Sequence, residues 1–219
     1  MAVRKVSNRG GNIIGHYPSL KLGRMVAFES LIERDFVYLL DYEPEVEHFM
    51  EQPLTIRYSH EDKPRRYTAD FQVLCKGRIF LFECKPASRV DDPVNQMKFE
   101  AARAWCQEQG WAFRIVTDAQ LASNWRVANI KLLAQFARYP LSPEIQGRVF
   151  AVLAEHSQPL KISEVMQYVQ PQAPQFIMIP ILRMAFHCEV HIPLNEAPIT
   201  ADSPITLTNL TEESGAWLL

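Results

Sequence analysis

The chain has 219 residues, of which 47% are apolar, and a formal net charge of −2 at pH 7. This length and apolar content allow a sizeable core in one or two domains, and the nearly neutral charge does not indicate a general nucleic-acid-binding protein. The longest apolar run, residues 176–182, is too short to cross a membrane. The four cysteines form no CxxC pair, which predicts reduced core thiols in a cytoplasmic protein rather than a zinc site.

The first part of the chain predicts an α/β domain over residues 1–140. In chain order, the predicted elements are a helix over 29–42, strands over 54–59, 67–75 and 78–85, a helix over 93–109, a strand over 111–117 and a helix over 124–137. Helix, three strands, helix, strand and helix is the core order of restriction-endonuclease-like folds. We therefore expect a nuclease core of that class.

Prolines near residues 138–143 predict a boundary, followed by a second domain over 141–219. Its predicted elements are a helix over 144–155, a strand over 160–162, a helix capped by Ser163, a helix over 175–186 and a hairpin of 189–194 with 205–208. This order predicts a winged-helix domain. Its third helix offers Gln175 and Arg183 among apolar residues, which makes it a poor reader of DNA, and any exposed part of it better suits a protein interface.

Three charged residues, Asp70, Glu83 and Lys85, lie on the predicted hairpin 67–85. If Lys76 and Gly77 form a two-residue turn, Asp70 falls opposite Glu83, with Cβ atoms roughly 5 Å apart. Two carboxylates repel each other at that distance unless a cation lies between them. Because side chains alternate along a strand, Lys85 shares a face with Glu83. The pattern indicates a divalent-metal site, and Mg²⁺ prefers such oxygen ligands.

A simpler interpretation of Glu83 and Lys85 is a solvated surface pair, because Glu-x-Lys is common on exposed strands. The apolar neighbours Leu81, Phe82 and Cys84 argue for a buried strand instead, where charged residues need partners or a chemical role.

Glu29 and Glu33 on the first predicted helix could also face the metal. However, Ser30 and Glu33 match a capping box, in which Glu33 would bond the Ser30 amide at the helix start. Both roles remain open for Glu33 from the residues alone.

Basic residues are concentrated in two groups. The first 28 residues carry no acid and contain Arg4, Lys5, Arg9, Lys21 and Arg24; the second group is Lys63, Arg65 and Arg66. Both could neutralise DNA phosphates beside a scissile bond. The alternatives are a flexible basic terminus and a solubilising hairpin loop.

Five sequence blocks occur in order: GRMV at 23–26, FESLIERD at 28–35, EQP at 51–53, YTADF at 67–71 and ECKP at 83–86. Together they resemble the TnsA endonuclease subunit of heteromeric transposases, a nuclease of the PD-(D/E)xK type, most closely over residues 10–135. One departure is Ala69, which stands where the motif has proline.

The resemblance implies roles for individual residues. It implies that Glu33, Asp70 and Glu83 are catalytic metal ligands, that the Cys84 carbonyl is a further ligand, and that Lys85 is the motif lysine. The implied cofactor is one or two Mg²⁺ ions, for which Mn²⁺ would substitute.

The resemblance further implies hydrolysis of the 5′ strands at transposon ends during cut-and-paste transposition. A TnsB-like transposase would cut and join the 3′ ends, and a TnsC-like AAA+ ATPase would contact the C-terminal domain. The alternatives are a stand-alone restriction or repair nuclease and a non-catalytic adaptor of a transposition complex.

Overall fold

The computed structural model describes residues 13–208, which divide into two compact units, 13–123 and 124–208. The boundary predicted between residues 140 and 141 lies inside the second unit and stays a prediction. The predicted basic residues Arg4, Lys5 and Arg9 lie outside the described residues. Within residues 13–208, no helix is long and apolar enough to cross a membrane.

Both units are mixed α/β, which is consistent with the predicted nuclease fold. The strands are β1 (Gly15–Pro18), β2 (Met25–Phe28), β3 (Val46–Glu51), β4 (Thr55–His60), β5 (Lys63–Thr68), β6 (Phe71–Cys75), β7 (Arg78–Lys85), β8 (Ala112–Thr117), β9 (Leu160–Lys161), β10 (Val190–His191) and β11 (Pro204–Leu207). The α-helices are α1 (Leu31–Tyr42), α2 (Pro93–Gln109), α3 (Asp118–Leu121), α4 (Arg126–Ala134), α5 (Pro143–Ala154), α6 (Ile162–Val169) and α7 (Met178–Phe186).

The first unit is built on a four-stranded sheet of order β3-β6-β7-β8, in which β7 and β8 are parallel and the other pairs antiparallel. Phe36 of α1 packs on one face against Phe71 and Phe82. On the other face, Leu81 of β7 packs with Phe99 of α2 in a buried cluster. The interior strands are therefore covered by helices on both faces, which explains their nearly continuous apolar sequence.

The strand predicted over 67–75 is wrong as a single element. It is two strands, β5 and β6, interrupted by a bend at Asp70. β5 pairs with β4 in a separate two-stranded hairpin, whereas β6 pairs with β3 and β7 in the central sheet. The apolar pattern runs through the bend because Tyr67 and Ala69 are buried as deeply as the residues of β6.

The second unit contains α4 to α7 and an antiparallel three-stranded sheet of order β10-β11-β9. The predicted helix over 175–186 is a short 3-10 turn, Pro174–Ile177, followed by α7. Helix α6 begins at Ile162, with Lys161 as its N-cap residue, so the prediction that Ser163 caps it is wrong. The helices and small sheet occur in the predicted order, and the winged-helix assignment stays a prediction.

Candidate active site

The β6–β7 hairpin forms as the sequence predicts. Lys76 and Gly77 both have positive φ, 49° and 68°, which is the backbone of the tight turns that match strand twist. Cys75 pairs with Arg78 at the turn, and Phe71 pairs with Phe82 at the far end. The residue before Phe71 is Asp70, so the register places it across from Glu83.

The bend at Asp70 is fixed by backbone and side-chain hydrogen bonds. Its amide donates to the Phe82 carbonyl (3.1 Å), and its own carbonyl accepts from the Gln52 amide (2.7 Å). Its Oδ2 accepts a hydrogen bond from the Cys84 amide at 2.7 Å. Burial raises the pKa of Asp70 well above its usual range, and the carboxylates of Glu83 and Glu33 add to that shift.

Glu83 is 4% exposed and holds two partners. Its Oε2 accepts from the Tyr67 hydroxyl at 2.6 Å, and its Oε1 lies 2.7 Å from Lys85 Nζ. Burial opposes the charged form of Lys85, but the Glu83 carboxylate outweighs it, so the pKa of Lys85 is raised. Lys85 is consequently a protonated hydrogen-bond donor rather than a neutral base at neutral pH.

Glu33 caps the start of α1. Its Oε2 accepts from the Glu29 amide (2.7 Å) and its Oε1 from the Ser30 hydroxyl (2.9 Å), while Ser30 Oγ accepts from the Glu33 amide (3.1 Å). Ser30 is the N-cap of α1, but Glu33 accepts from the Glu29 amide and the Ser30 hydroxyl rather than from the Ser30 amide, so the predicted reciprocal capping box does not form. The metal-ligand role of Glu33 stays a prediction. Burial raises the pKa of Glu33; its hydrogen bonds oppose the shift, and the Glu29 and Glu83 carboxylates add to it.

Cys84 contacts Asp70 through its backbone amide, and its thiol stays in the protonated form. Burial, together with the nearby carboxylates of Asp70, Glu33 and Glu83, raises the pKa of the Cys84 thiol well above its usual value. Its amide faces Asp70. In a strand, the amide and carbonyl of one residue point to the same side. The Cys84 carbonyl is therefore expected on the side of β7 where its amide meets Asp70.

Two residues of the site were missed by sequence reasoning. Tyr67 is the hydroxyl partner of Glu83, and a signal existed, since a tyrosine on a buried strand face requires a hydrogen-bond partner. Gln52 is 8% exposed, has φ 43°, and donates from its side chain to Glu29 Oε1 at 3.1 Å. Its Oε1 is buried without a partner among the described residues. Backbone strain and an unpaired polar atom are features that concentrate at functional sites.

The predicted DNA-binding residues are in two different environments. Arg24 is held by a bidentate ion pair with Glu51, at 2.7 and 2.6 Å, and Lys21 Nζ donates to the Glu43 carbonyl. Lys63, Arg65 and Arg66 are exposed on β5. The structure thus brings Asp70, Glu83, Lys85 and Cys84 together, with Glu33 in electrostatic range and the β5 cations on an adjoining hairpin.

Comparison with known families gives a match for part of this chain. Residues 43–118 match the family described as "TnsA-like endonuclease N terminal". No curated protein matches the chain. The matched segment contains Asp70, Glu83, Cys84 and Lys85 together with Gln52. It confirms the resemblance to a TnsA-type endonuclease and supports a transposase endonuclease subunit.

Proposed function

We propose that this chain, whose residues 43–118 are similar to the TnsA-like endonuclease N-terminal domain, is a metal-dependent DNA endonuclease that cuts the 5′ strands at transposon ends. The observation that carries the proposal is the position of Asp70. Its carboxylate faces the Glu83–Lys85 pair and accepts a hydrogen bond from the Cys84 amide. A carboxylate pair beside a protonated lysine is suited to phosphodiester hydrolysis.

The donor set suits a hard divalent cation. Asp70 and Glu83 offer carboxylate oxygens and Cys84 a carbonyl, the ligand types that Mg²⁺ and Mn²⁺ prefer. Burial raises the pKa of Asp70 and of Glu33, and repulsion from the Glu83 carboxylate adds to both shifts; a cation would oppose both causes by stabilising the ionised carboxylates. Within residues 13–208, however, no three His, Cys, Asp or Glu side chains are already gathered at ligand spacing. Glu33 would have to exchange a capping hydrogen bond to become a third ligand.

The protein groups would then divide the work. A bound divalent cation would supply Lewis acidity, lowering the pKa of water and screening phosphate charge. Asp70 and Glu83 would hold the cation, Tyr67 and Lys85 fix the orientation of Glu83, and protonated Lys85 would donate to the phosphate or its attacking water. Gln52 holds the Asp70 bend through its backbone amide.

The C-terminal unit is proposed to be a winged-helix domain that docks partner proteins, with a TnsC-like ATPase and a TnsB-like transposase as candidates. Arg183 of α7 is engaged by Glu189 at 2.7 Å, which leaves this helix poorly equipped to read bases. In the same unit, Tyr168 and Phe176 are 58% and 68% exposed, and exposed aromatic residues favour protein contacts.

The decisive experiment is strand-specific cleavage of an element end. The full chain would be mixed with the transposase and ATPase of the same element and Mg²⁺ or Mn²⁺, comparing the unaltered chain with Asp70→Ala. The expected result is loss of the 5′-strand cut with 3′ joining retained. Glu108→Gln, which removes an exposed charge at the end of α2, is the control and should cut normally.

Other results would select the alternatives. Unchanged cutting of both strands by Asp70→Ala would contradict the assigned site and leave the adaptor function. Cleavage by the isolated chain at a specific sequence, without partners, would favour a stand-alone restriction or repair nuclease.

A further inference from the structure

The β4–β5 hairpin has an unusual pair of like charges. Arg57 of β4 lies directly opposite Arg66 of β5 in the antiparallel register, and both are exposed. Directly opposed side chains have Cβ atoms about 5 Å apart, and like charges there are unfavourable. Among the described residues, neither arginine has a carboxylate partner, and the same is true of Lys63 and Arg65.

Three other cations of the first unit each have a carboxylate partner within the protein. Arg24 pairs with Glu51, Lys76 with Glu45 and Lys85 with Glu83, at 2.6, 2.6 and 2.7 Å respectively. Arg57 and Arg66, by contrast, are directly opposed like charges that an external anion could bridge.

The two faces of the hairpin differ. Ile56 and Tyr67 form one cross-strand pair and are buried in the core cluster with α2. Because side chains alternate along a strand, Arg57 and Arg66 project from the opposite, solvated face. Two guanidinium groups carried by directly opposed residues can bind the oxygen atoms of one phosphate, which arginine binds in a bidentate manner.

Position and charge limit which phosphate can be reached. Arg66 precedes Asp70 by four residues, at most about 13 Å along an extended chain. With a rise of about 3.4 Å per nucleotide, that length corresponds to about four nucleotides of one DNA strand. At the tip, Glu61 and Asp62 form a two-residue turn with φ of 49° and 58°, and their negative charges disfavour contact with DNA further out.

We propose that Arg57 and Arg66 form a phosphate clamp, which binds the DNA backbone a few nucleotides from the bond that is cut. This inference rests on the proposed function, since it assigns the substrate contact of the same site. It adds Arg57, which sequence patterns did not single out. It also separates the Arg57–Arg66 face from Lys63 and Arg65, which lie on the Tyr67 face.

The test measures DNA binding without cleavage. The full chain carrying Asp70→Asn would be titrated against a fluorescein-labelled duplex containing an element end, at several KCl concentrations between about 50 and 200 mM. Adding Arg57→Gln and Arg66→Gln should weaken binding roughly tenfold at the lowest salt. The slope of log affinity against log salt should become shallower by about 0.9 for each phosphate that the protein no longer neutralises.

The matched control is Arg78→Gln, an exposed arginine at the opposite end of β7 from Lys85, which should leave affinity and slope unchanged. An unchanged slope in the Arg57/Arg66 variant would overturn the clamp, as would an equal loss in Arg78→Gln or no measurable binding by the starting chain. Failure of the clamp is distinguishable from failure of the endonuclease proposal, because Asp70→Ala tests the latter by strand cleavage alone.

Discussion

The two hairpins of the first unit use charge in opposite ways. In β6–β7, buried Glu83 is held by Tyr67 and Lys85, and partly buried Asp70 is held by the Cys84 amide. In β4–β5, exposed Arg57 and Arg66 face each other without a carboxylate partner among the described residues. A buried charge needs hydrogen-bonded or charged partners because its desolvation costs free energy. A charge on the surface is stabilised by water and needs no partner before a ligand binds.

On the proposed function, this difference separates DNA recognition by the β4–β5 hairpin from chemistry at the β6–β7 hairpin. Fixed groups are already oriented when the reaction begins, which is the source of electrostatic catalysis. Mobile surface cations contribute attraction to a polyanion, without needing a single geometry before it arrives. Tyr67 joins the two regions, since it belongs to β5 and its hydroxyl donates to Glu83 of β7.

The largest expected effect comes from breaking the buried Glu83–Lys85 ion pair. Lys85→Met should lower 5′-strand cleavage about 10²–10³-fold, because it removes the protonated donor proposed to act on the scissile phosphate. Single-turnover cleavage in the reconstituted reaction measures this. Lys76→Met is the matched control, since Lys76 forms a similar ion pair with Glu45, at 2.6 Å, at the other end of the same hairpin. A comparable loss in both variants would show that Lys85 is needed only for the fold.

A second, smaller effect should appear in stability as a function of pH. The folded pKa of Asp70 is raised, so between the unfolded and folded pKa values the folded state binds more protons than the unfolded state. The contribution of Asp70 to stability without metal is therefore fully present below its unfolded pKa and is lost as pH rises through its folded pKa. Asp70→Asn removes this penalty and should stabilise the chain at pH 7, seen as a higher urea midpoint.

Urea unfolding in EDTA at several pH values checks this expectation. The advantage of Asp70→Asn should shrink as pH falls, whereas Glu108→Gln should show no such trend. Added Mg²⁺ should raise the unfolding midpoint of the unaltered chain but not that of Asp70→Asn. Destabilisation by Asp70→Asn at pH 7 would mean that the ionised carboxylate holds the bend rather than straining it.

The sequence allows prediction of the β6–β7 hairpin because its determinants are local. A Lys76-Gly77 turn, alternation and two-residue loop geometry set the register and hence the opposition of Asp70 and Glu83. A local hydrogen-bonding role for Glu33 at the start of α1 could be predicted for the same reason, since its partners lie within four residues, although the predicted partner, the Ser30 amide, was wrong.

Contacts between segments that are distant in the sequence could not be predicted from local patterns. The Arg24–Glu51 ion pair joins residues 27 positions apart. The sequence pattern therefore predicted Arg24 as a DNA-binding cation, although in the structure it is paired with Glu51. The Gln52–Asp70 backbone bond depends on where β3 ends relative to β6, and β3 itself carries no clear alternation. The division of 67–75 into two strands follows from competing pairing partners, which a local pattern does not contain.

The smallest expected effect concerns the exposed hairpin. If Arg57 serves DNA binding rather than folding, Arg57→Gln should raise the free energy of unfolding by about 0.2–0.5 kcal/mol, because it relieves repulsion with Arg66. Urea unfolding at low salt measures the gain, which should vanish near 1 M KCl, where the Debye length is about 3 Å. Arg78→Gln should instead lose stability, since Arg78 lies 5.3 Å from the Phe80 ring centroid and stabilises it by a cation–π contact. Loss of stability in Arg57→Gln would place Arg57 among the structural charges and remove the contrast between the hairpins.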